Sequence, residues 1–513
     1  MELAPWAMYS AMILLVTLLG ALASSRCGRR KLNLPPGPSP WPVIGNLNLI
    51  GPLPHRSLHA LSQMYGSLMH LRLGSVLVVV GSSVEMAKSI LKTHDISFAS
   101  RPKSAEGKYT MYSYASMSYC PYGPYLRQAR RICQNELFSP RKLDFFQYIR
   151  LEEVRALLRG LFESAGAPIV LKDYVSNATL NNICLMAFGK KYLQEKPEAA
   201  AIVPPEEFKE MIDELLFLNG VTNVGDLIPW LNFLDLQGYV RRMKKLSKKF
   251  DRFLEYILDE HEKQRRLEGD VFVAMDLVDV LLLDDPSLEV TFDRQGVKAL
   301  AQDMIIGGTS TSTVTIEWAI SELLKRPEIQ DKATEELDRV IGRDCWVEEK
   351  DANRLPYIEA IVKETMRMHP AVPMLVPRLA REHTVVGGYD IPAGTRVLVN
   401  VWAIGRDPTI WDSPKEFQPE RFVGNPIDVK GQHMELLPFG AGRRMCPGYS
   451  LGLKMIQLIL ANLLHGFKWR LPEGMKAEEL SMEEIFGLSM PRKVPLRAVA
   501  EPKLPAHLYG ARS

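Results

Sequence analysis

The hydrophobic pattern opens with a run that no charged residue interrupts, from Leu3 to Ser25, centred on Ala11 to Ala23. As a helix rising 1.5 Å per residue it spans about 35 Å, enough to cross a hydrocarbon core of roughly 30 Å. Arg26, Arg29, Arg30 and Lys31 follow at once, whereas only Glu2 precedes the run. Positive charge behind the apolar stretch predicts an uncleaved single-pass anchor, residues 3–25, with the bulk of the chain facing the cytosol. Residues 26–42 read as a basic and proline-rich hinge. Pro35, Pro36, Pro38, Pro40 and Pro42 exclude helix and favour a stiff connector that sets the height of the body over the bilayer.

In the body, residues 43–513, the period changes several times. Residues 68–82 alternate and are rich in β-branched side chains, which predicts a hairpin of strands. From about 125 to 370 helical patterning dominates. Lys249 to Gly269 reads as an amphipathic helix with a glycine stop, and 295–325 as a long apolar helix. Residues 385–400 return to strand and turn signals. The sum is a mainly α fold with minor β (α+β), and no Pro/Gly seam divides it.

Composition adds exclusions. A net charge of +3 over 513 residues gives no reason to expect nucleic acid as a partner. The six cysteines are scattered without a C-x-x-C pair, which argues against a disulfide framework and for reduced thiols.

One cysteine stands apart. Cys446 lies in the glycine-rich stretch Pro438 to Gly448, beside Arg443 and Arg444 and just before an apolar helical run. A thiol near a helix N-terminus and cations is expected to have a lowered pKa. Backbone N–H groups of such a loop stabilise a thiolate. With a single cysteine nearby, Cys₄ zinc and iron–sulfur sites are poor fits, and one axial thiolate on haem iron fits well.

Phe439, Gly442, Arg444, Cys446 and Gly448 together resemble the haem-binding signature of the cytochrome P-450 monooxygenases. Glu364-Thr365-Met366-Arg367 is similar to the family's ExxR and Pro419-Glu420-Arg421-Phe422 to its PERF. The anchor with its proline hinge resembles the plant microsomal members. The resemblance covers nearly the whole chain and implies the cytochrome P-450 fold with haem b as cofactor and Cys446 as the iron ligand. It implies Arg130, Arg378 and Arg444 as propionate partners, Phe439 beside the cofactor, and a Glu364–Arg367–Arg421 network shaping the proximal side. The family's WxxxR has Leu126 in place of its tryptophan here, which removes an indole donor.

Gly307 and Gly308 interrupt the apolar helix, at a cost of about 0.5–1 kcal/mol each relative to alanine. A bulge or the close approach of another body would account for that, and a flat haem is such a body. A poorly formed helix or a tight helix–helix contact is the alternative. The resemblance assigns proton delivery to the hydroxyl of Thr311. Ser310 stands where the family has an acid. Serine relays protons without storing them, so a weaker second protonation is expected.

Family topology places the substrate chamber among residues 103–120, 216–224, 371–376 and 486–490. These are largely apolar and suit a small hydrophobic substrate. The chain shows no convincing flavin or nicotinamide motif, so electrons are expected from an NADPH–haemoprotein reductase. Arg127, Arg130, Arg131 and Arg443 are candidates for its docking face. The endoplasmic reticulum membrane is the expected location. Residues 307–329 and 431–448 resemble a plant subgroup that includes homoterpene synthases, which cleave nerolidol and geranyllinalool oxidatively. Flavonoid or phenylpropanoid ring hydroxylation is the runner-up, and a non-catalytic haem sensor is the alternative of another class.

Overall fold

The computed structural model describes Met12 and residues 32–191, 203–283 and 289–510. Apart from Met12, the expected anchor and the basic residues behind it lie outside the described residues. Among the described residues no helix is long and apolar enough to cross a membrane.

The principal helices are α1 (Pro54–Tyr65), α2 (Pro124–Cys133), α3 (Gln147–Glu163), α4 (Leu171–Phe188), α5 (Pro205–Leu218), α6 (Tyr239–Glu268), α7 (Arg294–Lys325), α8 (Pro327–Val340), α9 (Pro356–Met368) and α10 (Tyr449–Gly466). The strands are β1 (Leu68–Leu73), β2 (Val76–Gly81), β3 (Pro168–Val170), β4 (Arg378–Leu379), β5 (Thr384–Val386), β6 (Tyr389–Ile391), β7 (Arg396–Val399), β8 (Phe467–Arg470) and β9 (Arg497–Pro502). They form three small sheets, ordered β1-β2-β7-β4, β3-β9-β8 and β5-β6. The hairpin expected at 68–82 is β1–β2, with Leu68 opposite Gly81. Its β2 pairs in parallel with β7, Val78 beside Arg396. This sheet brings the chain from residue 80 and the chain from residue 398 together, and its last strand, β4, carries Arg378 to the site.

The proline stretch is more than a spacer. His70 N–H donates to Pro36 O at 2.9 Å, and His70 Nδ1 lies 2.6 Å from Pro35 O. The connector is therefore clamped to β1, and its direction is fixed by the body.

Helix α7 is the axis of the fold. It is apolar around most of its circumference, and such a helix is stable only when covered on all sides. It lies against α4, α9 and α10. Asp293 starts it by accepting the Gly296 N–H at 2.7 Å, and Pro327 follows its end. Helix α6 begins ten residues before the expected Lys249. Met243 and Leu246 are buried, continuing the apolar stripe of Phe250, Phe253, Ile257 and Leu258 through a run dense in lysine and arginine. Those long side chains reach solvent from a helix whose other face is covered. Gly269, at φ +55°, ends the helix where the glycine stop was expected.

Candidate active site

A cavity of ≈1610 Å³ of empty space, part of it open to solvent, lies between α7 and the loop that carries Cys446. Gly307, Gly308, Thr311, Ser312 and Thr315 form one wall. Phe439, Cys446 and the α10 residues Leu451, Met455 and Ile456 form another. Arg101, Arg130, Arg378 and Arg444 also line it.

The cysteine loop is built by short-range constraints. Cys446 N–H donates to Phe439 O at 3.0 Å, closing the turn. Gly442 sits at φ +70°, and a β-carbon there would fall 2.3 Å from Leu91 O, so glycine is required on both counts. The Phe439 ring meets Tyr449 edge to face, with centroids 6.3 Å apart. The expected lowering of the Cys446 pKa is not what the surroundings produce. Burial pushes the thiol up, against the Gly448 N–H and the charge of Arg130, both of which favour the thiolate. A bound cation on the sulfur would tip that balance the other way.

Glu364 and Arg367 are both fully buried. Arg367 holds Glu364 by two parallel bonds of 2.7 Å. It donates further to the carbonyls of Gly405, Pro414 and Glu416 at 2.5, 2.8 and 3.0 Å. Arg421 Nε reaches Glu364 Oε1 at 3.2 Å, and Gln418 N–H reaches it at 2.7 Å. The sequence pattern brings these residues together as expected. The network ties α9 to residues 405–421, the segment leading toward the cysteine loop.

The arginines test whether a doubly anionic group such as haem fits. Burial holds Arg101 well below its ordinary range, and the charges of Arg444 and Arg378 add to that; burial and the charge of Arg444 lower Arg378 in turn. Asp95 is the carboxylate that answers them, 3.1 Å from Arg378. Among the described residues the Arg130 guanidinium has no hydrogen-bond partner, and it is desolvated, with the Cys446 sulfur among the groups that offset this. A cluster of desolvated, half-buried to buried cations short of carboxylates accepts two propionates readily. The residues present fit the cofactor. Arg130 faces the cavity and so is withdrawn from the docking face expected of it. Arg127 is paired with Glu289 at 3.2 Å. Leu126 is buried in the core, where the tryptophan of WxxxR was missing.

The two glycines of α7 turn out to have different reasons. A β-carbon on Gly307 would meet nothing within 4 Å, because the cavity is there. One on Gly308 would fall 2.7 Å from Ile183 Cγ1 of α4. Gly308 therefore serves a helix–helix contact, and α7 continues through both positions without a bulge. Thr311 lines the cavity, its hydroxyl donating to Gly307 O at 3.1 Å. Ser310 is not brought to the cavity. Its hydroxyl pairs with Ser489 Oγ at 2.7 Å, since adjacent helix positions face about 100° apart.

Of the expected chamber walls, Met117, Ser118, Ala371, Val372, Leu375 and Val376 line the cavity. Residues 216–224 and 486–490 do not. They pack on each other instead, Gly220 lying too close to Gly487 and Leu488 for any side chain. Arg101, Asp303 and Asn182 line the cavity and were missed. Asn182 Oδ1 is buried with no partner. Burial pushes Asp303 up to about 6, against hydrogen bonds from Ser116, Ser118 and Met117. An aspartate inside an otherwise apolar helical run was the available sequence signal.

The model of the family described as Cytochrome P450 matches residues 35–495. The chain belongs to this family. Cytochrome P450 enzymes are haem-thiolate proteins with a cysteine as axial iron ligand, the role for which Cys446 is placed. The trimethyltridecatetraene synthase of Zea mays is 54% identical, covering 97% of this chain and 94% of that protein. The dimethylnonatriene synthase of Zea mays is 52% identical, covering 98% of each. A flavonoid 3'-monooxygenase of Petunia hybrida is 44% identical over 94% of each. Among solved structures, a zebrafish cytochrome P450 with abiraterone superposes with a TM-score of 0.74 at 27% identity, covering 88% of this chain and 100% of that one. This cytochrome P450 is thus a monooxygenase of small hydrophobic substrates that depends on a redox partner.

Proposed function

We propose that this enzyme cleaves acyclic tertiary terpene alcohols, such as nerolidol and geranyllinalool, oxidatively to homoterpenes. Electrons from NADPH come through an NADPH–haemoprotein reductase. The observation that carries the reading is identity above half, over nearly the full length, with two homoterpene synthases. The cavity agrees with it. Met117, Val372, Leu375 and Val376 offer apolar contact along a chain-like substrate, and Ser118 and Asn182 offer isolated partners for one hydroxyl.

Haem b, when bound with Cys446 as its thiolate ligand, supplies the iron chemistry that activates O₂. Arg130, Arg378 and Arg444 would hold its propionates. The rest falls to side chains. Leu451, Met455 and Ile456 exclude water behind Cys446. Thr311 Oγ1 is a cavity-facing hydroxyl on α7, beside Gly307, free to exchange its bond to Gly307 O for one to a ligand and to pass on its proton. Ser310 acts at most through Ser489.

The body is read as resting on a membrane, with the 3–25 anchor in the endoplasmic reticulum and the catalytic unit facing the cytosol. Trp230 and Phe233 are 64% and 82% exposed, and Trp41 and Val43 are exposed as well. The segments that carry them meet through β1–β2: Gly45 bridges Leu73, and Ser75 N–H donates to Leu227 O at 2.8 Å. Exposed apolar side chains on adjoining segments favour a lipid surface. Arg131 and Arg443 are exposed cations for a reductase.

The test is turnover by full-length enzyme in microsomes with reductase and NADPH, fed nerolidol, geranyllinalool and a flavonoid in separate reactions. Volatile homoterpenes are the expected products. A ring-hydroxylated flavonoid without any homoterpene would overturn the terpene assignment.

A further inference from the structure

Residues 110–118 lead into the cavity wall at Met117 and Ser118, through a backbone that is conformationally unfavourable and yet held in place. Tyr112, Ser113 and Tyr114 take φ values of +47°, +52° and +69° in succession. That region is uncommon for one residue with a β-carbon and rarer for three in a row. Something must hold the segment down, and α7 supplies it. Gln295 Nε2 donates to Tyr112 O at 2.8 Å, and Gln302 Nε2 to Thr110 O at 2.6 Å. The Tyr125 hydroxyl donates to Ala115 O at 2.7 Å.

The densest hold is at Asp303. Ser116 Oγ and Ser118 Oγ donate to its Oδ1 at 2.7 and 2.9 Å, and Met117 N–H donates to its Oδ2 at 2.6 Å. Three consecutive residues thus converge on one buried carboxylate. From the cofactor side, Arg101 Nε takes Ser118 O at 2.9 Å and Arg444 takes Met117 O at 3.1 Å. The wall is clamped between the propionate arginines and α7, and Met117, Ser118 and Asp303 all line the cavity. The catalytic scheme above uses none of this carboxylate's bonds.

We propose that Asp303 is a positioning residue that latches the strained 112–118 segment to α7 and thereby sets how bulky a molecule the cavity exchanges with solvent. This rests on the reading of the cavity as the substrate chamber of a haem enzyme. The chemistry is specific to a carboxylate. An amide of the same shape can keep Met117 N–H on its oxygen only if both serine hydroxyls turn round to accept from its NH₂. Asp303→Asn therefore replaces three charge-assisted bonds by neutral, rearranged ones, while the side-chain volume stays the same.

The experiment uses full-length holoenzyme in microsomes at pH 7.5. Stopped-flow spectra follow binding of two triazoles that ligate haem iron: 1,2,4-triazole itself and the bulky paclobutrazol. In Asp303→Asn, paclobutrazol should enter and leave about tenfold faster, the factor for roughly one lost charge-assisted hydrogen bond, while 1,2,4-triazole is unchanged. Ser116→Ala/Ser118→Ala, which keeps the carboxylate and removes two donors, should shift the same probe in the same direction. That pair decides the matter if Asp303→Asn does not retain haem. Equal changes for both probes, or none for either, would overturn the latch. If wild type showed no haem shift with either triazole, the chamber reading itself would fall, and the latch with it.

Discussion

Adjacent glycines in α7 should respond to the same substitution in opposite ways. Alanine in place of either relieves a helix-interior glycine, a gain of about 0.8–1 kcal/mol. At Gly307 the new methyl enters open space, so Gly307→Ala should stabilise the fold by about that amount while narrowing the cavity beside Thr311. At Gly308 the methyl would lie 2.7, 2.9 and 3.2 Å from Ile183 Cγ1, Cβ and Cγ2. These atoms belong to the root of a β-branched side chain and cannot swing away without moving α4. Overpacking of this kind costs about 1–3 kcal/mol, and the contact with Cβ places it in the upper part of that range. Net of the helix gain, Gly308→Ala should destabilise by about 1–2 kcal/mol. Urea unfolding followed by far-UV circular dichroism reads both values, and substrate-dependent NADPH consumption reads the cavity. Ile183→Ala in the Gly308→Ala background should recover part of the loss. Alanine variants that shift stability in the same direction, or a Gly307→Ala enzyme with unchanged substrate-dependent NADPH consumption, would rule out these separate roles for the two glycines.

Other perturbations test other parts of the site. Cys446→Ser should abolish the far-shifted Soret band of the reduced carbon monoxide complex, and survival of that band would remove the thiolate assignment. Arg367→Met strands the buried Glu364 carboxylate and three carbonyls, and should cost on the order of 3–5 kcal/mol, read as loss of haem on mild heating. An effect no larger than that of Arg421→Ala would refute the central place given to Arg367. Thr311→Ala should raise NADPH-driven peroxide release several-fold, whereas Ser310→Ala, whose hydroxyl faces Ser489, should not. His261 Nδ1 meets Ile257 O at 2.7 Å and Nε2 meets Asp276 Oδ2 at 3.0 Å. Burial works against its charge, but the Asp276 bond outweighs this and the pKa is raised. Its stabilisation is therefore complete below the unfolded-histidine value of about 6.5 and lost as pH rises through the higher folded value. Hydrogen exchange in residues 276–281 should show that loss in wild type and not in His261→Gln.

Local spacing along the chain was enough to place several parts of this protein. The haem loop from Phe439 to Gly448, the Glu364–Arg367 pair one turn apart and the hairpin at 68–82 each need only neighbours in the chain, and all three stand where their patterns placed them. The length of α7 was legible for the same reason, since burial on every side leaves a long apolar run. Helix α6 was cut short because a lysine-rich stretch hides a stripe that is buried only when another helix lies on it.

What the tertiary structure alone decided is which way side chains face and who meets whom. Gly307 and Gly308 are indistinguishable as letters, yet a methyl would meet open space at one and Ile183 at the other. Arg130 could serve a partner surface or a cofactor until its helix was oriented, and Ser310 turned to Ser489 instead of its neighbour's cavity. Asp303 gained its meaning from Ser116, Met117 and Ser118, some 185 residues earlier in the chain. Such contacts depend on packing angles between distant elements, and no periodicity along the chain encodes those angles.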